Sequence, residues 1–435
     1  MSESTYEFGF GKGKIAVTLP DDKILYNLKG KSVPAVTDVW GAAKEAMRNP
    51  IGTKPLKEIV NPGESVCIVV SDITRSWIRT RDFLPAIVDE LNEAGVPDKD
   101  IFLLVSTGSH RISTTEENVL NYGQAIVDRI RIYQHDSTDD DNMVHIGTTR
   151  LGVDIRVNRL AVDADRVILT GAVVLHPIAG YSGGRKSVMP GITALDTIYK
   201  THSYCLHETH GMGMSKNSQA GKLEGNPVHE FMTEACAFLN PDFIFNTVQT
   251  PEGEFASFHC GHWYQAWEDA VSKVKEIYGA EFSEKADLVI VSTGGYPNDI
   301  NIYQSTKTIG FAHNAVKSGG AIIIFLEGSD IYDPPEFADF LHHYDSAFDL
   351  EMAARKEFSM PAYLSMKWRL IADDATVIVV SLPENVPYLE KARLNPARSF
   401  EEALEIAEKK LGKDYTVTLL AKGAKTVPIY TGTDY

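Results

Sequence analysis

Residues 182–191 read SGGRKSVMPG, which sets Lys186 in a glycine-containing loop, with His176 ten residues before it and His202 sixteen after it. A lysine in such a loop serves as a fixed charge for an anion or, when uncharged, as a nucleophile of the Schiff-base kind. The residues alone leave both open. The nucleotide-binding phosphate loop needs glycine directly before its lysine, GxxxxGK[ST], and Arg185 stands there instead. A nucleotidase of that type is therefore disfavoured, although Gly183 and Gly184 can still bring backbone N–H groups close to an anion. Three histidines fall at or near predicted strand ends: His110 in STGSHR, His176 in VLHP and His202 in THSY. An imidazole titrates near neutral pH and also binds borderline metals, so both acid/base and ligand roles are open to them. His202, His207 and His210 lack the HExxH spacing of zinc proteases, and His207 with His210 reads best as a solvated helix end. Arg75 in SDITR and Lys307 in YQSTK suit a carboxylate. Asp72 can orient Arg75, accept from a ribose or cap the next turn. These residues together imply a small anionic substrate, two acid/base histidines and a lysine held in a glycine loop.

Such residues need a frame. Apolar, β-branched runs at 67–72, 101–106, 166–174, 242–248, 287–293, 321–327 and 375–381 read as strands. Segments 83–95, 226–239, 263–279 and 399–412 carry apolar residues three and four apart, the helix period, and the last begins with a Ser399/Glu402 capping box. Alternation of this kind predicts an α/β fold of two domains, each a largely parallel sheet flanked by helices. The expected division is 1–282, a cofactor-binding domain, and 286–415, with 416–435 forming a hairpin that returns to the first domain. Ligands of open α/β sheets lie beyond the C-terminal ends of strands. The segments ITRSW, TGSHR, LHPIAGYSGGRKS and GGYPNDINIYQSTK all follow predicted strands and fall there.

Composition narrows the partners. The 435 residues carry a formal charge of −17 with no long basic run, which argues against nucleic acid or an anionic membrane. No stretch approaches the ~20 apolar residues of a membrane helix. The start MSESTYEFGFGKGK lacks a basic stretch followed by an apolar run, and the four scattered cysteines form no CxxC pair, which together predict a cytoplasmic protein with reduced thiols. No predicted strand is followed by GxGxxG, so a nicotinamide fold is not supported.

The segments DITR (72–75), TGSHR (107–111), HPIAGYSGGRKSVMPGI (176–192), GNPVHE (225–230) and GGYPNDINIYQSTK (294–307) together resemble the nickel-dependent lactate racemase family, in order and across most of the chain. The resemblance implies an active site in a cleft between two domains and a nickel pincer nucleotide, a pyridinium mononucleotide whose two sulfur-bearing arms and a ring carbon hold nickel. It implies that Lys186 carries this group covalently through a thioamide, that His202 is the protein ligand to nickel, and that His110 and His176 are the acid/base pair. It further implies that Asp72, Thr74, Gly183 and Gly184 contact the cofactor, that Arg75, Gln304 and Lys307 hold substrate, and that Trp368 forms an aromatic wall. The implied reaction is racemisation of a 2-hydroxy acid. Hydride leaves Cα while one histidine takes the hydroxyl proton, and hydride then returns to the opposite face of the 2-keto acid. Cofactor-biosynthesis proteins would supply the group. A sugar-acid 2-epimerase with the same cofactor, or a non-catalytic nickel or cofactor carrier, are the alternatives. Ser76 and Trp77 follow DITR where proline is expected in lactate-using members, which points to a reshaped side-chain pocket.

Overall fold

The structure is a computed structural model that describes residues 2–432. It divides into two compact units. One holds Ser32–Cys205 and Ser215–Ile277; the other holds the chain up to Lys31, Leu206–Met214 and the chain from Tyr278 onward. Each is an α/β unit around one six-stranded sheet.

In the Ser32–Ile277 unit the sheet runs, in spatial order, Phe255–Gly261, Phe243–Gln249, Arg166–Ala172, Val66–Ser71, Ile101–Ser106, Arg131–Gln134. All neighbours are parallel except the first pair. Val66–Ser71 and Ile101–Ser106 are buried along their whole length, as continuous β-branched runs covered on both faces should be. Helices Val39–Arg48 and Thr80–Glu93 pack on this sheet through a core that includes Ile68, Val70, Phe83, Ile87 and Phe245. From Val66–Ser71 the chain builds outward to one side, then crosses back to add Arg166–Ala172 on the other. The strand order therefore reverses between these two neighbours, and the crevice beyond their C-terminal ends is the expected ligand position.

At the opposite strand ends, Arg166 bridges Glu64 at 2.7 Å and Asp242 at 2.9 Å. The Arg166 guanidinium holds the Glu64 carboxyl down at about 2, below its ordinary 4.5. A carboxylate depressed on folding stabilises fully above its unfolded value, and that contribution fades as pH falls from ~4.5 toward ~2. Glu64→Gln is expected to cost roughly 2 kcal/mol at pH 7 and progressively less toward pH 3, as read by urea denaturation at both pH values.

The second unit has the sheet Asn395–Ala397, Thr376–Val380, Val316–Phe325, Ala286–Ser292, Val417–Leu420, Ile24–Asn27, all parallel. Its reversal of strand order falls between Ala286–Ser292 and Val417–Leu420. Two expectations need correction. Residues 1–31 do not belong with the first domain: the antiparallel hairpin Glu3–Phe10/Gly13–Pro20 buries Phe8, Val17 and Leu19 in this unit's core, and Ile24–Asn27 extends its sheet. The described residues of the expected 416–435 hairpin, 416–432, form none, because each strand finds a parallel partner elsewhere in the same unit. Val417–Leu420 lies between two sheet strands, and Val427–Tyr430 pairs with Gly279–Phe282. The last three residues of that segment lie outside those described. At the helix from Phe400 the Ser399 side chain accepts the Glu402 N–H, but the Glu402 carboxylate reaches the N–H of Arg398, one residue before the cap. No described helix is long and apolar enough to cross a membrane.

Candidate functional site

Three adjacent strands of the Ser32–Ile277 sheet end in the three segments that carry the chemistry. Asp72 follows Val66–Ser71 directly and is fully buried. Its side chain makes no helix cap, so that reading is set aside. One carboxylate oxygen accepts from Arg75 Nη1 at 3.0 Å and Thr74 Oγ1 at 2.8 Å; the other meets His110 Nδ1 at 2.6 Å. Arg75 Nη1 also lies 3.3 Å from His110 Nδ1. With the carboxylate far closer, Nδ1 carries the proton and donates to Asp72, so the guanidinium contact is simple proximity. In the neutral ring this tautomer leaves the lone pair on Nε2, the form of a general base. Burial alone would raise the Asp72 carboxyl, yet the His110 hydrogen bond and the Arg75 charge hold it below the usual range. His110 sits in the turn after Ile101–Ser106, whose Gly108 N–H donates to Gly191 O at 2.9 Å, binding this turn to the end of the lysine loop.

The loop after Arg166–Ala172 folds into a two-residue antiparallel pair, Leu175–His176 against Gly180–Tyr181. At its base Ser182 Oγ donates to Ala172 O at 2.8 Å. His176 Nε2 meets Lys186 Nζ at 2.7 Å, and His176 Nδ1 accepts the Ala179 N–H at 3.2 Å. Burial first, then the charges of Arg75 and Arg185, depress the Lys186 ammonium far below its ordinary range. Burial and the Lys186 charge likewise push His176 down. His202 lies on the amphipathic helix Leu195–Ser203, whose buried face includes Ile198 and Thr201. Its Nδ1 meets Ile198 O at 2.9 Å, which fixes the proton on Nδ1 and the lone pair on Nε2. Burial, then Lys186, brings its pKa to about 4, so the ring is neutral at pH 7.

Gly183 and Gly184 are both closely packed by the protein's own side chains. A Cβ on Gly183, at φ 110°, would lie 2.7 Å from Trp267 and Val173; one on Gly184 would lie 2.5 Å from Ile244. The Gly184 N–H is spent on Asn246 Oδ1 at 2.8 Å, so it is not offered to an anion. Gly183→Ala is expected to cost about 2–4 kcal/mol, from overpacking plus left-handed strain, and to lower the thermal midpoint.

The loop's main support is a side chain to which the sequence assigned no role. Arg185 is fully buried, stacks over Trp267 at 3.9 Å, and donates to Tyr181 O at 3.2 Å and His229 Nδ1 at 3.0 Å. GNPVHE supplies that partner histidine, and its Asn226 donates to Ile178 O at 2.9 Å. The motif is thus scaffold for the lysine loop. Exposed Trp77 stands two residues from Arg75, with its carbonyl held by Gln249 Nε2 at 2.8 Å.

In the other unit, Gln304 and Lys307 lie on Ile302–Ala315, the helix that follows the Ala286–Ser292 strand, with Asn301 as its cap. Gln304 is exposed. Burial and the neighbouring Lys425 charge lower Lys307 to about 8. Trp368 is not a wall open to a ligand. It is fully buried, and its indole N–H donates to Thr306 Oγ1 at 2.8 Å, so it braces the helix turn between Gln304 and Lys307. His207 and His210 stand in the Leu206–Met214 segment, whose Gly211 and Gly213 N–H groups are gripped by buried Glu351. Among the described residues no group of three His, Cys, Asp or Glu side chains is placed to hold a metal.

The fold and the Ser32–Ile277 site define an α/β protein with one histidine held by a buried aspartate and another in contact with a half-buried lysine, at a sheet reversal. Residues 10–213 match the family described as "Lactate racemase N-terminal domain", and residues 282–427 match "Lactate racemase C-terminal domain". The chain is 32% identical to the lactate racemase of Thermoanaerobacterium thermosaccharolyticum over 97% of its length and 98% of the relative. It is 31% identical to that of Lactiplantibacillus plantarum over 94% and 98%. The lactate racemase apoprotein structure from T. thermosaccharolyticum superposes with a TM-score of 0.88 at 31% identity, over 98% of this chain and all of that one. A Thermotoga maritima structure at 17% identity, with a TM-score of 0.59, shares the fold. The chain belongs to the lactate racemase family.

Proposed function

We propose that the chain is a 2-hydroxyacid racemase dependent on a nickel pincer nucleotide, with lactate as the default substrate. The observation that carries the reading is one cluster: a base-form histidine locked to Asp72, and a second histidine in contact with a lysine whose charge is suppressed. The residues present fit the implied cofactor. An uncharged Lys186 amine is the form that acylation requires. A metal carried mainly by its own nucleotide needs few protein ligands, and His202 presents one neutral imidazole of the right tautomer where no three-ligand cluster is built. When bound, the group would supply a hydride acceptor at the substrate's Cα.

The chain's own residues do the rest. His110 Nε2 takes the hydroxyl proton of one enantiomer, and Asp72 stabilises the resulting imidazolium. The family resemblance assigns the other enantiomer to His176, which serves it once its Nε2 is released from Lys186 and unprotonated. The Arg75 guanidinium, anchored on Asp72, holds the substrate carboxylate while the rest turns, and the family resemblance assigns Gln304 and Lys307 to the same substrate. Lys186 and His202 hold the cofactor, which the proteins that build it would load.

The test is nickel analysis and intact mass of protein produced together with the cofactor pathway. His202→Ala is expected to lose the nickel and racemisation while the Lys186 adduct persists. Full nickel content in His202→Ala would remove it as the ligand. No adduct and no racemisation of any 2-hydroxy acid by the parent protein would remove the reading.

A further inference from the structure

We infer that His176 has a second task before turnover begins: it holds Lys186 as the uncharged amine, the nucleophile that joins the cofactor to the chain. The inference rests on the proposed function, which assigns Lys186 to the tether. It concerns how that bond is made.

The argument starts from who donates to whom. His176 Nδ1 accepts the Ala179 N–H, so a neutral ring carries its own proton on Nε2. The 2.7 Å contact is then Nε2–H donating to Lys186 Nζ. A lysine nitrogen accepts a hydrogen bond only as the uncharged amine. The reverse arrangement, an ammonium donating to Nε2, would make both ring nitrogens acceptors and the ring an imidazolate, which neutral water does not sustain. No carboxylate forms an ion pair with Lys186 among the described residues, while Arg75 and Arg185 lie near enough to repel its charge. The direction of the lysine's titration agrees with this geometry. The side chain is only partly buried, so an acyl donor can reach it. His110 has no such partner: its ring is turned to Asp72. The two histidines are therefore unlike in the cofactor-free chain, one bound to Asp72 and the other to the lysine.

The step balances without a redox partner. The donor is a thiocarboxylic acid arm on the pyridinium ring. The Nζ lone pair forms the C–N bond to the arm's carbon, and the C–O bond to its hydroxyl breaks. The departing hydroxyl takes the proton that Nζ sheds and leaves as water, while His176 turns its Nε2–H from the spent lone pair to that oxygen and keeps its proton. R–COSH and R′–NH2 become R–CS–NH–R′ and H2O, and His176 ends as it began. Once Nζ is a thioamide nitrogen it no longer holds Nε2, and the ring is released for work on substrate.

The test uses the cofactor-free chain and a pyridine thioester, S-phenyl thionicotinate, as acyl donor at pH 7, with intact mass and peptide mapping as readouts. The parent chain is expected to be acylated first at Lys186. His176→Leu, confirmed as folded by near-ultraviolet circular dichroism, is expected to slow that site about a hundredfold, the low end for a positioned acid–base side chain. His176→Gln, which keeps an N–H donor, is expected to recover part of the rate. Equal rates in His176→Leu and the parent, or acylation that bypasses Lys186 in the parent, overturn the inference. The cofactor reading fails separately: a chain produced with the cofactor pathway that carries no mass on Lys186 removes the tether, whatever the thioester shows.

Discussion

Lys186→Ala is expected to abolish the covalent adduct and to lower racemisation by at least about 10³-fold, the scale set by loss of a fixed reacting geometry. The reason lies in what the loop is built to do. Gly183 and Gly184 pack against Trp267, Val173 and Ile244, Arg185 is clamped beneath, and Ser187 Oγ donates to Thr170 O at 2.7 Å. This rigid support positions one side chain, whose ammonium form is disfavoured by burial and by two arginines. A lysine kept to neutralise an anion would be placed where its charge survives. Lys186 is half-buried and its one side-chain hydrogen bond is to His176, so alanine at 186 is expected to fold close to the parent's stability. Loss of activity with an unchanged melting profile therefore reads on chemistry. Lys186→Arg is the control: it restores bulk and charge and is expected to remain without adduct.

Asp72→Asn is expected to lower kcat by about 10²–10⁴-fold while leaving adduct and nickel in place. The side chain keeps its shape, but its amide can donate to His110 Nδ1 where the carboxylate only accepted. That flips the ring, puts the proton on Nε2, and removes the lone pair that takes the hydroxyl proton. The carboxylate also anchors Arg75 at 3.0 Å, so KM for a 2-hydroxy acid is expected to rise as well. Asp72 is held ionised by His110 and Arg75 against its burial, so its contribution is present above the ordinary carboxylate range and is lost only as pH falls below it. Steady-state kinetics in both directions separate the roles. If His110 serves one enantiomer, the pre-steady-state proton step slows for that direction first.

The parallel strands were legible because they are covered on both faces and so read as unbroken β-branched runs, VCIVVS and IFLLVS above all. The chain ends were not. Val417–Leu420 and Val427–Tyr430 look like hairpin arms locally, and only the rest of the sheet decides that each has a parallel partner. The amino-terminal residues carry alternating apolar positions, yet nothing in that pattern says which core they bury against.

The site divides the same way. Residue types gave Arg75, His110, His176 and Lys186. Geometry gave the pairing of Asp72 with His110, which depends on two strands being neighbours 38 residues apart in sequence. The scaffold of Arg185, Trp267 and His229 has no local signature, since its members meet only when the helix from Pro227 and the helix from Gln265 are in place. The glycines read as bringing the backbone close to an anion are packed against Trp267, Val173 and Ile244, because a sequence shows where space is needed and not which side chains line it.

The most direct test is chiral analysis of the loaded protein acting on single enantiomers of lactate and larger 2-hydroxy acids in deuterium oxide. The account predicts interconversion of at least one of them with the original hydrogen retained at Cα, since hydrogen that moves as hydride does not exchange with solvent. Deuterium incorporated at Cα during interconversion, or no interconversion by protein that carries both nickel and the Lys186 adduct, would contradict it.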